Sequence, residues 1–148
     1  MSAVVKNLEL NIISRVLTRL KLINGTGNYN FNIRPDCIFE DFKMLEEIKI
    51  FPSLSMGSFR MGDSTNKPRN VFNSPFVLEV WGYVKDADHN QPLQEVSKLA
   101  SDVRISLGFD EFLGNKVHGF TFSADFGAIG QHGYLRFQIT GNFEFILV

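Results

Sequence analysis

Cysteine occurs once in this chain, at Cys37. A single thiol rules out an internal disulfide and any cysteine-rich zinc site, and it points to a reducing compartment and a buried, inert side chain. No excess of either charge sign is present: 15 basic side chains face 16 acidic ones, leaving a net charge of -1. Such a balance provides no overall field to recruit nucleic acid or an anionic membrane surface. Long apolar runs are missing as well. The stretch after Lys6 is interrupted by Asn11, Ser14, Arg15, Thr18 and Arg19, too often for the apolar core of a signal peptide or for a membrane span. Internal repeats and low-complexity tracts are also lacking.

What is abundant is phenylalanine, with 15 copies in 148 residues that are 44% hydrophobic. A chain of this length buries roughly 70% of its unfolded surface and folds without staples, so residues 1–148 read as one domain. The rings either fill a core or cover an interface.

Periodicity places the elements. Ile13, Val16, Leu17 and Leu20, extended by Leu10, mark one face of a helix over Leu8–Ile23, with Asn24-Gly25 as its stop. Tyr29, Phe31 and Ile33 alternate as in a half-buried strand that Pro35 ends. Residues 36–47 fit a weak helical turn or two, and Ile48–Phe51 reads as a strand. Pro, Gly, Ser, Asn and Asp dominate 52–74, which reads as a long protruding loop. Pro75–Lys85, rich in Val and aromatic residues, reads as a long strand paired with 48–51. Pro92 opens a helix over 92–107 with Leu93, Val96, Leu99, Ala100, Val103 and Leu107 on one face. Strands over 117–124 and 133–147 follow, joined by the glycine-rich stretch 127–133. The expected fold is α+β: a mostly antiparallel or mixed sheet of about five strands, with two principal helices packed on one face.

Candidate chemistry is sparse. His89, His118 and His132 are scattered without metal-ligand spacing and read as loop or surface histidines. Cys37 has Asp36 beside it but no histidine nearby in sequence, and it reads as core. Asp86-Ala-Asp-His-Asn90 opens like a calcium loop, but Gln91 stands where glycine is needed and Ser97 where glutamate is needed; a strand-to-helix connection with capping side chains accounts for it better. Gly127, Gly130 and Gly133 lack the Lys-Ser/Thr of a phosphate loop and read as a hairpin. Asn24-Gly25-Thr26 matches a glycosylation sequon but reads as a turn. The neighbouring carboxylates Glu46-Glu47 and Asp110-Glu111 face different ways and read as solvated surface. Gly119-Phe-Thr-Phe122 is half of an RNA-recognition strand, with His118, Thr121 and Asp125 at the failing positions. No catalytic, cofactor-binding or metal-binding set emerges, and the expectation is a protein that is not an enzyme and uses no cofactor.

Three phrases carry a family resemblance: Asn11-Ile-Ile-Ser-Arg-Val-Leu-Thr-Arg-Leu20, Val77-Leu-Glu-Val-Trp-Gly-Tyr83, and Leu93–Leu107. Together with the closing strand over 133–146 and the overall size, they resemble the tail terminator (tail completion) proteins of long-tailed bacteriophages, at the level of element order over nearly the whole chain. The resemblance implies a ring, most often a hexamer, that caps the tail tube, stops its growth and provides the head–tail joining surface. It implies as partners further copies of the chain, the tail-tube protein, the connector or neck protein and, in contractile tails, the sheath. Genomic DNA would only pass through the lumen, and the location would be the virion. The loop 52–74 is the expected partner-gripping segment, with Phe59, Arg60, Met61, Lys67, Arg69 and Phe72 as interface residues. Two alternatives stand beside this expectation: another neck or tube subunit, and a single-stranded RNA-binding module.

Overall fold

The computed structural model describes residues 2–4, 7–86, 88, 90–108 and 119–146. Helix α1 (Leu8–Leu20) and helix α2 (Pro92–Gly108) lie over a sheet of seven strands. The strands are β1 (Ser2–Val4), β2 (Ile38–Phe39), β3 (Ser53–Met61), β4 (Thr65–Lys67), β5 (Val71–Lys85), β6 (Gly119–Ile129) and β7 (His132–Ile146). The fold is α+β, as expected, with seven strands in place of about five. The added strands β1, β2 and β4 are only two or three residues long, below the length at which alternation can be read.

β5 and β7 form the antiparallel centre, paired from Val71↔Ile146 to Lys85↔His132. β3 and then β4 pair antiparallel with the other edge of β5, and β6 with that of β7. β1 joins β7 and β2 joins β3 in parallel, so the sheet is mixed. The pleat divides the residues of β5. Phe76, Leu78, Val80 and Val84 point under the helices with Leu135, Phe137, Ile139 and Phe143 of β7, while Glu79, Trp81 and Tyr83 point to the opposite face. Leu8, Ile12, Val16 and Leu20 of α1, with Val96, Leu99, Val103 and Leu107 of α2, complete one core.

Several sequence expectations are corrected. Leu10 and Leu93 are half exposed, because the buried phase of α1 runs through Leu8 and Ile12, and α2 buries Pro92 and Val96 instead. Residues 29–33 form no strand, only the isolated bridge Asn24↔Asn32. The backbone N–H groups of Asn30 and Phe31 donate instead to the Asp102 carboxylate, at 2.8 and 2.9 Å. The partner of Pro75–Lys85 is Ser53–Met61, not Ile48–Phe51. The expected loop 52–74 is thus mostly strand. A bulge hides it: Gly57 and Ser58 together oppose Glu79, so the alternation of Leu54 and Met56 slips by one before Phe59 and Met61. Pro75, read as a strand start, lies within β5 at the junction of β3 and β4, where its carbonyl accepts the Gly62 N–H at 2.8 Å; a proline cannot return that bond, and β3 ends there. The glycine-rich stretch 127–133 is also mostly strand, and only Gly130-Gln131 turns the hairpin, with Gly130 at φ 60.

Candidate interaction surface

The sheet face opposite the helices carries the distinctive side chains. At the hairpin end, Trp81 and Tyr83 of β5 meet Tyr134 and His132 of β7 and Ile129 of β6. The irregular segment before β3 folds over them: the Phe42 ring packs edge-on to Trp81 with centroids 5.6 Å apart, and Met44, Leu45 and Glu46 form a wall. The result is an open apolar groove of about 400 Å³. Ile129 is 65% exposed and Met44 56%, unusual exposure for side chains grouped in one place. The Tyr83 hydroxyl is pushed up from its ordinary pKa by burial and then by the Glu46 carboxylate.

Beside the groove, Glu79 collects three donors. Arg136 Nε donates to Oε2, Gln138 Nε2 donates to Oε2 at 3.3 Å, and Ser58 Oγ donates to Oε1 at 3.0 Å. Burial raises the carboxyl pKa, but these hydrogen bonds outweigh it and hold Glu79 below the ordinary value of 4.5. Arg136 also lies 6.0 Å from the Trp81 ring centroid. The network therefore fixes a guanidinium beside the indole. A folded-state pKa below the unfolded one gives stability that is present above about pH 4.5 and is lost as the pH falls through the depressed value. Glu79→Gln is expected to cost about 1–3 kcal/mol at pH 7, with the gap to wild type narrowing in urea melts below pH 4. A constant gap across that range would show that the carboxylate charge is not what matters.

At the far end of the sheet lie the residues expected to grip a partner. Phe59 stacks on Phe76 at 5.6 Å and Phe72 on Phe145 at 5.4 Å, so both rings belong to the margin of the core. Arg60, Met61, Lys67 and Arg69 are exposed. Lys67 Nζ lies 3.6 Å from Glu144 Oε2. The sequence reading thus found the cations of this end and missed the groove, whose one local signal is the spacing of Glu79, Trp81 and Tyr83 on alternate positions of β5.

The remaining candidates are placed as follows. Cys37 is buried, and its thiol is pushed up by burial and then by the Asp36 carboxylate, the opposite of nucleophile activation. Asp86 Oδ2 accepts the Gln91 N–H at 3.1 Å and so orders the approach to α2. Asn24 Oδ1 accepts from the Thr26 N–H and hydroxyl, which is turn chemistry. His132 packs against Phe51 at the groove, with ring centroids 5.3 Å apart. His89, His118 and Asp110-Glu111 lie outside the described residues. Among the described residues no group of three His, Cys, Asp or Glu side chains could hold a metal ion, and no helix is long and apolar enough to cross a membrane. No protein-family model matches the chain, and no curated protein matches it.

Proposed function

We propose that this chain is a structural protein of a bacteriophage tail, a ring-forming terminator that caps the tail tube, stops its polymerisation and provides the head–tail joining surface. The observation that carries this reading is the two-faced sheet. One face is covered by two helices over β5 and β7, and the other carries an exposed aromatic groove at one end and exposed cations at the other. Such a body is suited to binding protein surfaces. The element order and the three sequence phrases that resemble terminator proteins give it a second support. On this reading the partners are further copies in a ring, most often six, with the tube protein on one side, the connector on the other, and the sheath where the tail contracts. The protein is not an enzyme, needs no cofactor, and works in the virion at the head-proximal end of the tail, where genomic DNA only passes through the lumen.

The RNA-binding alternative loses its main support. Phe122 packs on Phe137 with centroids 5.1 Å apart, and Phe120 and Phe122 both lean on the core, so the two rings are not a free platform for stacking bases. Mass photometry on the purified protein is expected to show a discrete species of several subunits, and adding it to the cognate tube protein is expected to shorten the tubes seen by electron microscopy. A strict monomer that leaves tube length unchanged and binds single-stranded RNA with a steep salt dependence overturns the reading.

A further inference from the structure

We propose that the cationic turn at Pro68–Asn70 of one copy docks into the aromatic groove of a second copy, with Arg69 meeting Glu46, so that copies associate head to tail. This rests on the assembly reading above and assigns it to named residues. Arg69 and Asn70 hold left-handed backbone conformations, φ 67 and 60, at the tip of the β4–β5 hairpin. Asn70 tolerates this conformation, which hairpin turns commonly use, whereas Arg69 bears a Cβ clash there that asparagine or glycine would lessen. Arg69 is exposed there, and its guanidinium has no side-chain partner among the described residues; Arg60 is in the same condition, while Lys67 is tied to Glu144.

The groove presents the complementary chemistry. Its floor and wall are Trp81, Tyr83, Tyr134 and Phe42, faces over which a guanidinium is favourable. Its lip is Glu46, which no cation among the described residues neutralises, in a stretch (residues 36–49) where five carboxylates stand against two lysines. Of those lysines, Lys43 is paired with Asp41 at 3.0 Å. Lys85, opposite His132, puts a cation at this end of β5, so the negative charge lining the groove is confined to the Glu46 lip.

Geometry excludes the contact within one chain. Val71 and Tyr83 are separated by the length of β5, about 40 Å at roughly 3.3 Å per residue. A turn at one end and a groove at the other make a heterologous contact, which closes into a ring when the rotation between copies allows.

The test uses charge reversal in the full-length protein, with circular dichroism to confirm folding. Arg69→Glu and Glu46→Lys are each expected to weaken self-association more than about tenfold, since like charges then face each other in the contact. An equimolar mixture of the two restores a complementary pair at both contacts, Arg69 with Glu46 and the substituted acid with the substituted lysine. It should regain the wild-type assembly, with the two variants alternating, in native mass spectrometry. The double variant Arg69→Glu/Glu46→Lys should regain the wild-type assembly. Ile129→Lys, at a position 65% exposed, serves as a second groove variant: it sets a cation in the groove against Arg69 and should weaken self-association as Glu46→Lys does. If the single variants and Ile129→Lys assemble as wild type does, or if the mixture stays as dissociated as its components, this docking is overturned while a ring built through another surface stands. A wild-type protein that stays monomeric at every concentration overturns both.

Discussion

Asp102→Ala is expected to lower stability by about 3 kcal/mol, because it removes the acceptor of three part-buried, charge-assisted hydrogen bonds. Asp102 sits inside α2 and is fully buried, and its carboxylate carries the loop that follows α1. Oδ1 accepts the Asn30 N–H at 2.8 Å and the Asn30 side-chain amide at 3.0 Å, and Oδ2 accepts the Phe31 N–H at 2.9 Å. The loop is otherwise held by the isolated Asn24↔Asn32 bridge, by the Tyr29 N–H on the Thr26 carbonyl at 3.2 Å and by the Asn30 side-chain amide on the Lys98 carbonyl at 3.4 Å. The carboxylate thus stands in for a neighbouring strand. Urea unfolding should show a lower midpoint with an unchanged slope, and the melting temperature should drop by about 10 °C. Asp102→Asn keeps the shape but turns an N–H toward a donor, so it should recover less than half of the loss. A midpoint close to wild type for the alanine variant would mean that water replaces the carboxylate at little cost. Arg19 makes a separate tie between the helices, its Nε donating to the Ser106 carbonyl at 2.8 Å, and this should keep α1 on α2 in either variant.

The same residue explains part of what the sequence concealed. The alternation Tyr29-Phe31-Ile33 is real, but a strand also needs a neighbour for its N–H groups, and here a side chain 70 or more positions away takes two of them. Asp102 lies three positions after Leu99, beside the apolar face of α2, and nothing in the sequence pairs it with Asn30 and Phe31. β3 failed for a local reason, because the Gly57-Ser58 bulge shifts the phase of a strand already rich in serine. The two helices and the strands β5 and β7 were legible because their alternation or helical spacing runs unbroken and ends in one core. The surface was less accessible. Exposed arginines declare themselves by type, which is how Arg60 and Arg69 were found. The groove joins Phe42 and Met44 to Trp81 and Tyr83 and then to Ile129 and Tyr134, three stretches whose meeting depends on the register of the whole sheet.

Gly133 tests that register most directly. It faces the start of α2, and a Cβ placed there would stand 2.6 Å from the Pro92 carbonyl oxygen, 2.7 Å from Val96 Cβ and 2.8 Å from Val84 Cγ2. The first of these is backbone and the second is the stem of a side chain, so no rotamer change relieves them. The helix must lift or β7 must shift, and Gly133→Ala is expected to cost about 3 kcal/mol. Gly130, three residues earlier, separates the two reasons for glycine. Nothing lies within 4 Å of a Cβ there, but φ is 60. Gly130→Ala should therefore cost only about 1–2 kcal/mol, from backbone strain alone. Hydrogen exchange should show loss of protection concentrated at the start of α2 for Gly133→Ala and confined to the hairpin for Gly130→Ala. Because Gly133 lies between His132 and Tyr134, a shift of β7 also displaces the floor of the groove, so Gly133→Ala should weaken self-association while Gly130→Ala changes it little. Equal melting points for the two variants would show that the close seat of α2 on β7 does not hold this end of the sheet in place.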